Sequence, residues 1–117
     1  MAIAAEALNV ETYGWAVNAT SADASGTEEL QAAPAAGSLY LTQVSINCAS
    51  AITVTIGAGE TTGAVTTPII GPVTFTAEGG QYAIDFLNPI KLAATTSLTV
   101  DASGAGAVQV FAAGYTK

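Results

Sequence analysis

The chain of 117 residues contains no histidine and no arginine, and Lys91 and Lys117 supply all of its side-chain positive charge. Without imidazole there is no histidine base for a serine or cysteine nucleophile, no histidine general acid and no histidine-ligated metal centre. Phosphate neutralisation and base readout depend on lysine and arginine, so two lysines argue against nucleic acid as a partner. Polybasic attraction to an anionic membrane fails for the same reason. The one cysteine, Cys48, cannot form an intrachain disulfide. It falls in phase with Val44 and Ile46 and reads as a small buried hydrophobe. No run approaches the roughly 18 apolar residues of a membrane span. The opening MAIAAEALNVET has no positive n-region and is interrupted by Glu6, so it reads as mature sequence, and the chain is expected to be made and used as a soluble intracellular product.

Charge of either sign is scarce. Charged residues make up 9% of the chain, against about 25% in an ordinary soluble domain, and nine acids against two lysines give a formal charge of −7. The surface must therefore be covered largely by alanine, threonine, glycine and serine, of which there are 25, 16, 12 and 7. Two accounts fit such a surface. It is simply bland, or part of it is buried in a permanent assembly, where interface cores are depleted of lysine, glutamate and aspartate. Leucine, isoleucine, valine and phenylalanine number 27, enough for one hydrophobic core, and the length fits one domain.

From Leu39 onward the sequence reads as short strands separated by turn signals. LYLTQVSINCA alternates through Val44, Ile46 and Cys48, while Leu39 and Leu41 are out of phase with Val44. A β-bulge inside the run would account for that, as would burial of its first part on both faces. AITVTIG places Ile52, Val54 and Ile56 inward. Pro68 and Pro72 suit a sheet edge, because proline cannot donate to a central ladder. VTFTA then sends Val73 and Phe75 inward, Gly79-Gly80 predicts a hairpin, and Tyr82, Ile84 and Phe86 return inward, leaving Thr74, Thr76, Ala83 and Asp85 to solvent. TSLTVDA and AVQVFAAGY add two more strands, and YGWAV and EELQAAP could be a further two. The expected fold is all-β, an antiparallel β-sandwich or jelly-roll-like domain over residues 13–117, preceded by an N-terminal arm over residues 1–12.

The acids offer little chemistry. Glu78 and Asp85 flank the Gly-Gly turn and Asp101 lies on a solvent face, placements that keep a sheet soluble and its edges unpaired. The stretch from Asp101 to Gly106 and the loop around Glu60 carry oxygen ligands, but neither has the acid-rich spacing of a calcium loop. GAGETTG lacks the Gly-Lys-Ser/Thr ending of a phosphate loop. No catalytic residue, metal or cofactor is expected, and the chain does not read as an enzyme. Tyr13, Trp15, Tyr40, Tyr82 and Tyr115 could in principle form a sugar-stacking platform. Tyr82, however, is in phase with the core, and the others are scattered.

The stretches LYLTQVSI, ITVTIGAG, GPVTFTAEGGQYAIDF and NPIKLAATTSLTVDASGAGAVQV, with the closing Gly-Tyr, set the rhythm of residues 38–115. In that texture the segment resembles small β-sandwich virion proteins of tailed bacteriophages, of the head decoration or cement type. The resemblance implies a structural virion protein made in the host cytoplasm and placed on the outer surface of the capsid. There it would sit as a homotrimer clamping neighbouring major capsid protein subunits. Ile3, Leu8 and Val10 would then be docking contacts of the arm, with Trp15 and Tyr40 as anchors, since tryptophan and tyrosine dominate interface hot spots. Residues 1–37 hold five of the nine acids, which suggests a partner patch bearing lysine or arginine. Similar texture occurs in phage tail and head-fibre base components, and a carbohydrate-binding β-sandwich module is the remaining alternative.

Overall fold

The structure, a computed structural model, describes residues 14–20, 27–59, 67–104 and 108–117. Eight strands follow in chain order: β1 (Gly14–Thr20), β2 (Thr27–Gln31), β3 (Leu39–Cys48), β4 (Thr53–Ala58), β5 (Pro68–Thr74), β6 (Gly80–Lys91), β7 (Leu98–Ala102) and β8 (Val108–Thr116). They form two four-stranded sheets, ordered β1-β8-β3-β6 and β2-β7-β4-β5, and every described ladder is antiparallel. Among the named strands, only β4 and β5 are both consecutive in the chain and neighbours in a sheet. Every other connection crosses from one sheet to the other. This alternation is the eight-stranded jelly roll, and it confirms the expected all-β sandwich. The arm expected at residues 1–12 lies outside the described residues.

Alternation decides which side chains meet between the sheets. Leu39, Leu41, Val44 and Ile46 from β3, Val108 and Val110 from β8, Val54 and Ile56 from β4, and Leu98 and Val100 from β7 are almost completely buried. Cys48 joins them at 7% exposure, as its phase required, and its thiol donates to the Ser50 carbonyl at 3.0 Å. The out-of-phase leucines are explained by a bulge. Leu41 pairs with Gly114 of β8 and Gln43 with Ala113, so Thr42 is the extra residue, and its Oγ1 donates to the Ala113 carbonyl at 3.0 Å. The bulge restores the leucines to the same core as Val44. Pro68 and Pro72 lie on β5, at the edge of the second sheet, as the missing amide donors demand.

The Gly79-Gly80 turn departs from expectation. Both glycines have positive φ, 75° and 153°, and Gly79 N–H donates to Thr76 at 2.9 Å, so the turn itself is as read. The strands on its two sides do not pair with each other, however: β5 belongs to the second sheet and β6 to the first. The turn is a corner between sheets, with Phe75 buried at 8% exposure inside it and its amide donating to the Ile52 carbonyl at 2.9 Å. A Cβ on Gly79 would collide with the Cys48 carbonyl oxygen and stand 2.9 Å from Ala49 Cα. Gly79→Ala therefore adds a left-handed backbone penalty of roughly 1–2 kcal/mol to a steric clash. A loss of about 2 kcal/mol or more in urea unfolding is expected, and an unchanged midpoint would contradict this geometry.

Candidate interaction surface

The first sheet turns one face to the core and the other outward. Its outward face is assembled from cross-strand rows, such as Asn18, Phe111, Ser45 and Ala83, or Ala16, Ala113, Gln43 and Asp85. Across the four strands that face carries one acid, Asp85, and one base, Lys91. The rest is alanine, amide, hydroxyl and aromatic. A β-sheet face this neutral offers area and shape to a partner rather than a strong field.

Gly14, Tyr115, Tyr40 and Lys91 form the end row. The rings of Tyr40 and Tyr115 stack with centroids 4.9 Å apart and planes 8° from parallel, and Lys91 Nζ lies 6.0 Å from the Tyr40 centroid. Strand order puts Lys91 and Tyr115 on opposite flanks of Tyr40, so both faces of that ring are engaged within the chain. A sugar-stacking platform needs free faces. Tyr82 packs against the core, and Tyr13 lies outside the described residues. This end of the sheet is firmly tied. Ser38 and Lys117 exchange backbone hydrogen bonds of 3.0 Å, Leu92 N–H donates to Leu39 at 2.9 Å, and Thr95 N–H to Gly37 at 2.8 Å.

Trp15 and Tyr40 occupy opposite faces. Trp15 is on edge strand β1, half-buried, and packs against the core. Its ring lies over Gly114, where a Cβ would stand 2.8 Å from Trp15 Cζ2 and would collide with the Tyr40 carbonyl oxygen. Its Nε1 is buried without a hydrogen-bond partner, an unmade bond that costs roughly 1–3 kcal/mol. The two residues therefore do not form one patch. Ile3, Leu8 and Val10 lie outside the described residues.

Two further features were not identified from alternation. Between the pairs Leu41–Ile90 and Gln43–Asp85, β3 contributes only Thr42 while β6 contributes Phe86, Leu87, Asn88 and Pro89. This excursion leaves Leu87 96% exposed, the exposed large hydrophobic among the described residues. Just beyond it, at the same end of the molecule, a half-open cleft of about 360 Å³ is lined by Ala58, Thr67, Ile69, Ile90, Lys91 and Leu92, with others. A strand rhythm broken by Asn88-Pro89 was the available signal for the excursion.

Glu78 accepts from Thr76 Oγ1 at 3.1 Å, Ser103 Oγ accepts from the Thr53 amide at 2.9 Å, and Glu60 lies outside the described residues. Among the described residues no group of three or more cysteine, aspartate or glutamate side chains is placed to hold a metal ion.

The tyrosine stack and the glycine beneath Trp15 are both measurable. A double-mutant cycle with Tyr40→Ala and Tyr115→Ala should return a coupling of about 0.5–1.5 kcal/mol in unfolding free energy; additive losses would mean that the rings act independently. Gly114→Ala should cost about 1–3 kcal/mol by overpacking against backbone, read as a lowered thermal midpoint.

No protein-family model matches the chain, and no curated protein does. Solved structures do. A chain in the acid-stable capsid of the Helicobacter pylori bacteriophage KHP30 superposes with a TM-score of 0.56 at 13% identity, covering 88% of this chain and 87% of that one. The nucleoplasmin-like N-terminal domain of Drosophila FKBP39 gives 0.47 at 12% identity over 90% of each chain. The globular domain of the zebrafish complement 1qA protein gives 0.49 at 8% identity, over 90% and 98%. At 13% identity the likeness to the phage capsid chain is one of fold.

Proposed function

We propose that this chain is a structural virion protein of a bacteriophage, a capsid decoration or cement protein that binds the outside of the head and holds neighbouring major capsid protein subunits together. The observation that carries the reading is a jelly roll with a neutral outer sheet face, in a chain with 9% charged residues. The fold it shares with a chain of a phage capsid supports it. Such a protein works by buried area and shape and needs no turnover. Contacts that are weak singly become strong when repeated over many symmetric sites on one shell. Self-association as a homotrimer belongs to the same reading, since each added copy contributes another attachment point. Residues 1–12 serve as the docking arm, with Ile3, Leu8 and Val10 supplying its apolar contacts, and Tyr40 is an anchor on the outward face. Trp15 takes part by fixing the start of β1, from which the arm extends.

Heads assembled from the cognate major capsid protein, without this chain, provide the test. Added protein should cosediment with them to a saturating stoichiometry and raise the temperature at which they rupture. Ile3→Ala with Leu8→Ala should lower occupancy at least tenfold, and unchanged occupancy would remove the arm from the account. The acids of residues 1–37 predict that binding weakens between low and high salt. Absence of cosedimentation, or binding to tails in place of heads, would overturn the proposal.

A further inference from the structure

Leu87 and the nearby cleft are both unusual for this chain, and they are chemically matched. Leu87 stands 96% exposed on a strand excursion, where an apolar side chain gains nothing from water. The cleft is lined by Ile69, Ile90, Leu92 and Ala58. An apolar cavity of about 150 Å³ can take a benzene ring, so about 360 Å³ has room for a leucine side chain. At 96% exposure Leu87 does not fill the cleft of its own chain.

We infer that Leu87 of one copy seats in the cleft between Ile69, Ile90 and Leu92 of the next copy. The inference rests on the self-association in the proposed function and names the surface that performs it. Charge selects a second copy as the occupant. Asp85, exposed two residues before Leu87, travels with the knob, while Lys91, one of two lysines in a chain of net charge −7, lines the cleft. An arriving acid thus meets the local positive charge and not the overall negative one. Knob and cleft are different patches, so each copy can give its knob to one neighbour and receive another's, and where the rotation closes the product is a ring such as a trimer. Their closeness on one edge places the symmetry axis beside β6.

Sedimentation equilibrium of the full chain tests this with two variants at exposed positions, Leu87→Asp, which spoils the knob, and Ala93→Trp, which fills the cleft from its rim. Thermal midpoints near that of the parent chain should confirm that both fold. The parent should form a closed oligomer, and each variant alone should be a monomer, its association weakened roughly tenfold or more. An equimolar mixture should form pairs and nothing larger, because it holds one intact knob and one intact cleft. A monomeric parent, an assembling Leu87→Asp, or a mixture that stays unassociated would each overturn the inference. Head cosedimentation separates it from the wider reading. A parent that binds heads but stays monomeric in solution overturns the Leu87 contact alone. Leu87-dependent rings that ignore heads leave the contact standing and overturn the decoration role.

Discussion

Leu39 and Leu41 share a core with Val44, Ile46 and Cys48 only because Thr42 is squeezed out of the ladder between them. A strand of strict period two would have sent one set to solvent. The extra residue is held by the Thr42 hydroxyl on the Ala113 carbonyl, 3.0 Å away, so the phase change is locked to β8 and not merely permitted. Both neighbours of β3 register it. On the β8 side the partners are consecutive, Gly114 and Ala113, and Gly114 is a glycine where the Tyr40 carbonyl and the Trp15 ring close in. On the β6 side four residues stand opposite the single Thr42. The excursion that exposes Leu87 is therefore the counterpart of the bulge that buries Leu41.

Scarcity of charge shapes the same sheet from outside. Its outward face must remain soluble with Asp85 and Lys91 as its charges, and it does so with amides, hydroxyls and alanines. Threonine is well suited to this, since a β-branched side chain fits the pleated surface while its hydroxyl stays wet. At the end row an aromatic pair replaces the small residues. Tyr40 is held between Tyr115 and Lys91, which orders a long lysine side chain that would otherwise sweep freely. The backbone bonds joining Ser38 with Lys117 and Leu92 with Leu39 fix the strands beneath.

The alternation of Val54 and Ile56, of Val108 and Val110, and the phase slip at Leu41 could all be read from local spacing, because burial on one face imposes period two. The prolines of β5 announced an edge by the bond they cannot make. Strand partnership was not local. β1 pairs with β8, and β3 with both β6 and β8, so neighbours in the sheet are far apart in the chain and carry no common spacing. Gly79-Gly80 shows the limit. Its positive φ values were legible, but a corner and a hairpin use the same turn residues, and the difference lies in which sheet β6 joins. Likewise Tyr40 and Tyr115 read as scattered aromatics until pairing stacked them, and the core-facing side of β1, to which Trp15 belongs, had not been assigned from spacing.

A jelly roll leaves four edge strands, and an exposed edge is a standing invitation to unplanned pairing. Here three of the four edges carry a local irregularity. β5 carries two prolines, β2 has a register break between Glu29 and Gln31, and β6 carries Pro89 within its excursion. Each device interrupts the run of backbone donors and acceptors that another strand would need. Pairing by backbone at β6 is thereby made difficult, while the same irregularity presents a side chain, Leu87, beside an apolar cleft. An edge that refuses strand addition but offers a single apolar knob permits contact of one shape only. That is the kind of selectivity a protein of few charges needs if many copies are to assemble in order and not aggregate.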